Sequence, residues 1–175
     1  MEAHEKEAIL GHLENGRKAL LDALSGVTEE LAARKPAPGK WSVLECVEHL
    51  AITEEYLLSQ IAASRDSDGA AANRDREALI LSRGADRTIP RQAPEMARPA
   101  GRFPTLRDAL RHFLAARERT VQLVENCGGD LRSRLTSHPV IGTVNCYENL
   151  LLMAMHPQRH AKQIEEIKTA LPSPV

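Results

Sequence analysis

Apolar residues recur at three- and four-residue intervals along most of this chain and mark out four long helices. The first runs from about Ala3 to Ser25, with Ile9, Leu13, Gly16, Leu20 and Leu24 on one seam and Gly26 as its stop. The second opens at Ser42, where Ser42 and Glu45 have the spacing of a capping box and Trp41 precedes them as an apolar staple. Its stripe is Val43, Val47, Leu50, Leu57 and Ile61, and it ends near Ala63. The third starts at Thr105, with Asp108 three residues on, and reaches about Asn126 with Leu106, Ala109, Leu110, Phe113, Thr120 and Val124 inward. The fourth begins at Asn145, again boxed by Glu148, and continues to about Ala170, ahead of Pro172. Pro157 falls inside it, and the missing backbone donor predicts a kink beside His156.

The connections are uneven. Thr28 to Leu31 reads as one helical turn, and Pro36, Pro38 and Gly39 then force a loop. Residues 64–104 hold Pro90, Pro94, Pro99, Pro104 and many arginines; DREALILSRG, residues 75–84, reads as a short helix and the rest as irregular. A connection this long is often a functional lid or a mobile segment. Residues 130–144 form a second link containing His138, Pro139 and Gly142. No convincing period-two alternation and no Asn-Gly or Asp-Gly hairpin signal is found, so no strands are predicted. The expected fold is all-α: one domain over residues 1–175, a four-helix bundle with a long irregular insertion between helices two and three. Loops this long allow parallel as well as antiparallel neighbours.

Composition narrows the function. The formal net charge is −1, which asks for neither nucleic acid nor an anionic membrane. No apolar run is long enough for a membrane span, and the charged N-terminus lacks a signal-peptide core. Three widely spaced cysteines, Cys46, Cys127 and Cys146, argue for a reducing compartment, so a cytoplasmic protein is expected.

Candidate chemistry lies on the fourth helix. An advance of about 100° per residue places Asn149, Met153, His156, His160, Ile164 and Ile167 on one inward stripe. Imidazoles four residues apart can share one metal ion, and Gln163 stands where it could orient a ligand. The alternative is a pair of ordinary core histidines. The Glu of an H-E-x-x-H protease motif is absent. A third ligand should come from another helix. His49 on the second helix and His138 in a loop both qualify, and spacing does not choose between them. Glu54, on the second stripe, is the acid available as a general base, with a salt-bridging carboxylate as the plainer role. Arg117 on the third helix could pair with Glu54, hold a substrate carboxylate, or snorkel to the surface. Arg159 reads as solvated, and Cys46 as a small core residue.

Three segments carry a family resemblance. GKWSVLECVEHLAITEE at 39–55, RPAGRFPTLRDALRHFLAARERT at 98–120 and SHPVIGTVNCYENLLLMAMHPQRHAKQIEEIK at 137–168 resemble the later three helices of the DinB/YfiT-like family. The most specific part is a histidine on helix two combined with H-x-x-R-H-x-x-Q-I on helix four. The resemblance implies an up-down-down-up bundle and one divalent metal ion, zinc or nickel, held by His49, His156 and His160. It also implies a homodimer. Characterised members include thiol-dependent transferases and isomerases, and others are grouped as metal-dependent hydrolases. Pro157 departs from the family pattern, since a helix-friendly residue is expected there.

Three functions therefore stand, with thiol-dependent transfer as the leading reading and the other two as alternatives. The first is a transferase acting on a small molecule with a low-molecular-weight thiol, because a metal can bind and deprotonate a thiol. The second is a hydrolase using metal-activated water. The third is a non-catalytic, stress-related binding or structural protein.

Overall fold

The computed structural model describes residues 2–68 and 72–171. Four long helices form the body: α1 (Ala3–Leu24), α3 (Val43–Ala63), α5 (Leu106–Asn126) and α6 (Cys146–Ala170). Two short ones, α2 (Glu29–Ala33) and α4 (Arg74–Arg83), lie in the connections. The predicted starts hold because the caps form. Ser42 Oγ accepts from the Glu45 N–H while Glu45 accepts from the Ser42 N–H, and Asn145 with Glu148 repeats the exchange on α6. Thr105 caps α5 by accepting from Asp108 N–H. Pro172, the expected stop after α6, lies outside the described residues.

Two layers of the core fix the direction of each helix. One layer joins the start of α1 (Ile9, Leu13) and of α6 (Leu150, Leu151) to the ends of α3 (Leu57, Ile61) and α5 (Val124). The other joins the ends of α1 (Leu20, Leu24) and α6 (Ile164, Ile167) to the starts of α3 (Val43, Val47) and α5 (Leu106, Phe113). So α1 and α6 run one way and α3 and α5 the other, which is up-down-down-up. The parallel pair α1–α6 packs closely at Gly16: a Cβ there would sit 2.3 Å from the Ala154 carbonyl oxygen, so only glycine allows this approach.

The expectation of no strands is corrected. Leu135–His138 (β1) and Gly142–Asn145 (β2) pair antiparallel, with Thr136 opposite Val144 and His138 opposite Gly142. The connection is closed by Gly142 at φ +77°, backbone that glycine adopts without strain. Strands of four residues are too short to show alternation, and the turn lacks the usual dipeptides. The insertion is also more ordered than predicted. Besides α4 it contains a 3₁₀ turn at Glu95–Ala97, although residues 69–71 lie outside the described residues.

At the end away from the fourth helix's histidines, an ionic clasp ties the insertion to the bundle. Arg132 Nε and Nη2 donate to both oxygens of Glu77 at 2.7 and 3.0 Å, and its Nη1 lies 3.2 Å from Glu5. The same guanidinium lies 3.6 Å over the Tyr147 ring. Arg74 reaches Glu5 at 2.6 Å. Hydrogen bonds from Arg74 and from the Glu2 backbone, with Arg132 beside them, outweigh burial and hold the Glu5 carboxyl at about 2 instead of 4.5. A carboxylate held low stabilises the fold above its unfolded value and loses that contribution as pH falls through the folded one. Urea unfolding should therefore weaken between about pH 4.5 and about pH 2. Glu5→Gln should be less stable than the parent near neutral pH, and the two curves should meet at the acid end. Parallel curves would refute the role given to Glu5.

Candidate metal centre

His49 stands two turns into α3, on the face that also carries Cys46, Leu50 and Thr53, and is buried. Its Nδ1 lies 2.7 Å from the carbonyl of Ala97, the last residue of the 3₁₀ turn. A carbonyl only accepts, so Nδ1 carries the proton and the neutral ring presents its lone pair at Nε2. The insertion thus sets the tautomer of His49, a role that neither its composition nor its charge foretold.

His156 and His160 face inward from α6, one turn apart, as their spacing predicts. His156 Nε2 lies 3.0 Å from His49 Nε2 and 3.0 Å from His160 Nε2. The three rings meet with centroids 4.7 to 4.9 Å apart, and their donor atoms all lie within 4.8 Å of one another. Tetrahedral nitrogen ligands around a metal with bonds near 2.0–2.1 Å stand about 3.3 Å apart, so the cluster is close to that size. Burial pushes the pKa of His49 down and those of His156 and His160 well down, and the neighbouring imidazoles add to the last two. The rings are therefore neutral at pH 7. With each ring in its Nδ1–H form, as His49 is held, three lone pairs would crowd together, and one divalent ion fits that donor set. Of the two candidates for the third position, the structure brings in His49. His138 sits on β1, where its Nδ1 accepts from the Val140 and Ile141 N–H groups.

Trp41 completes the wall. Its ring centroid is 5.0 Å from that of His49 and 6.2 Å from that of His160, nearly parallel to the latter. Its place before the N-cap suggested only a staple, and the sequence carries no signal for this second contact. Gln163 lies beside His160 and favours its protonated form. Yet its Oε1 accepts from Arg87 at 3.0 Å, and His160 Nδ1 has no hydrogen-bond partner among the described residues.

Glu54 and Arg117 meet in the core instead of at the imidazoles. Arg117 Nε and Nη2 hold the two Glu54 oxygens at 2.7 and 2.9 Å, and Thr120 Oγ1 donates to Glu54 at 3.0 Å. Both residues are buried. Arg117 also donates to the Leu13 carbonyl at 2.8 Å and the Met153 carbonyl at 2.9 Å. The Met153 carbonyl is the acceptor that Pro157, four residues on, cannot satisfy. The guanidinium replaces the lost donor, and α6 continues as one helix from Cys146 to Ala170. Glu54 and Arg117 thus join the two ligand-bearing helices, α3 and α6, to α1 and α5. Arg159, expected in solvent, is instead half-buried and donates to the Ile89 carbonyl at 3.1 Å. Cys46 is a buried core residue whose thiol burial pushes far up, and His112 pairs with Glu55 on the surface.

Fold and site together define a helical bundle with a three-histidine centre. The chain belongs to the DinB superfamily, whose family model matches residues 12–164. It is 26% identical over 148 residues to the uncharacterized protein YuaE of Bacillus subtilis (strain 168), covering 83% of this chain and 88% of that protein. Among solved structures it is similar to TT2238, a four-helix bundle protein, with a TM-score of 0.59 and 22% identity over 92% of this chain and 98% of the other. It is also similar to YfiT from Bacillus subtilis, described as a probable metal-dependent hydrolase with an unusual four-helix bundle topology. That match has a TM-score of 0.63 and 17% identity, covering 97% of this chain and 89% of YfiT. No described helix is long and apolar enough to cross a membrane.

Proposed function

We propose that this chain is a metal-dependent hydrolase of a small molecule. The observation that carries the reading is the convergence of three neutral imidazole nitrogens with no fourth protein donor in the group among the described residues. Structural sites are usually closed by four protein ligands, whereas a three-ligand site leaves a position for water or substrate. When bound there, a divalent ion supplies Lewis acidity and lowers the pKa of coordinated water to about 7. His49, His156 and His160 hold that ion, and the Ala97 carbonyl keeps the His49 lone pair turned toward it. Trp41 covers the His160 side and keeps bulk water off it. His156 is half-buried where His49 and His160 are buried, so the substrate approaches on its side. Imidazole donors suit zinc and nickel, and zinc is preferred here because it imposes no geometry of its own.

The likeness to YfiT favours hydrolysis over thiol transfer. The test is a panel of activated esters and amides, offered to chelator-stripped protein and to protein reloaded with zinc or nickel, each with and without a low-molecular-weight thiol. Turnover is expected only with metal, at the same rate whether thiol is present or not. Turnover that requires thiol would assign the chain to the transferases instead. No turnover on reloading would leave it a binding protein.

A further inference from the structure

Arg159 lies three residues after His156 and directly before His160. Its Nη2 is tied to the Ile89 carbonyl, but its Nη1 is buried and has no hydrogen-bond partner among the described residues. Buried polar groups nearly always find a partner, and a guanidinium edge left without one is completed by a ligand, an ion or a water. The surrounding charge says which. Two further guanidiniums, Arg87 and Arg91, and two acids, Asp86 and Glu166, stand near it. Both acids are already engaged: Glu166 holds Arg87 at 2.8 and 2.7 Å, and Asp86 accepts from Thr88 and Arg83.

The histidine centre has the same bias. Its three donors are neutral, so nothing in the set offsets the charge of a divalent ion. The buried acids of α3 are spent elsewhere. Glu54 is held by Arg117, and Glu48 accepts from the backbone N–H groups of Ala100, Gly101 and Arg102. We propose that Arg159 anchors an oxyanion, a carboxylate or a phosphoester, of the molecule processed at the histidine centre, which therefore takes anionic substrates. This rests on the hydrolase reading for the location of the reacting bond. The Ile89 carbonyl fixes one arm of the guanidinium and leaves Nη1 as the arm offered to the ligand.

Trp41, the chain's single tryptophan, packs on the cluster and reports on it. Its fluorescence is titrated with hexanoate, with uncharged hexanamide and with inorganic phosphate, on metal-free and on zinc-loaded protein. Hexanoate or phosphate should bind at least about tenfold more tightly than hexanamide, a modest preference for a charge-assisted guanidinium contact. The stronger of the two anions names the substrate group. Arg159→Gln should remove that preference while zinc content stays at the parent's level. Arg159→Lys, which keeps the charge and loses the planar fork, should fall between the two and serves if the glutamine variant does not fold. Equal binding of anion and amide by the parent overturns the proposal. So does an anion preference that survives in both variants, because the anion then sits on the metal alone. Either outcome, with metal-dependent hydrolysis of neutral esters intact, removes the anion anchor and leaves the hydrolase reading standing.

Discussion

His49→Ala is expected to leave the purified protein with less than about a hundredth of the parent's affinity for zinc. Loss of an outer-shell partner alone typically costs 10–100-fold, and here a direct donor goes. The parent should carry about one divalent ion per chain, as a three-histidine site holds one. Elemental analysis measures the content, and thermal unfolding with and without chelator measures the linkage. A ligand at about a thousand times its dissociation constant stabilises the native state by about 4 kcal/mol. The parent should therefore melt lower in chelator, and His49→Ala should melt at the same temperature in both conditions. Its metal-free form should lose the bond to the Ala97 carbonyl and gain a small cavity, offset in part by relief of the crowded imidazoles. A variant that keeps its metal would remove the centre proposed above.

Arg117→Met is expected to cost about 3–5 kcal/mol of stability, the range for breaking a buried ion pair by removing one partner. Three acceptors each lose a donor at once: the Glu54 carboxylate and the carbonyls of Leu13 and Met153. The cost should be strongly non-additive. Glu54→Gln in the Arg117→Met background should cost less than it does alone, since the carboxylate is then already unpaired. Pro157→Ala should recover about 1 kcal/mol in that background, because the restored N–H can satisfy the Met153 carbonyl. Urea unfolding of the single and double variants reads all of these. If Pro157→Ala gives Arg117→Met no relief, the guanidinium is not standing in for the missing helix donor.

The same network shows where reading the chain stopped short. Glu54 and Arg117 stood out as charged residues on apolar stripes, and pairing was one of the roles open to them. Their partners could not be read, because the Leu13 and Met153 carbonyls are backbone groups on other helices. At Pro157 local rules count the lost hydrogen bond but not the side chain that arrives from α5 to replace it. The hairpin at 135–145 escaped because four-residue strands leave no period to detect.

What the linear order of residues determined was local. Stripe spacing and the boxes at Ser42–Glu45 and Asn145–Glu148 set the long helices, and a four-residue interval put His156 and His160 on one face. These depend on contacts within one or two turns of helix, which any stretch of sequence carries in itself. What only the tertiary structure decided was convergence. His49 arrives 107 residues before His156, Ala97 O turns its ring from the insertion, and Trp41 packs against His49 and His160. Such meetings follow from how antiparallel layers stack and how long loops return, and those are settled by burial of the whole core rather than by any segment alone.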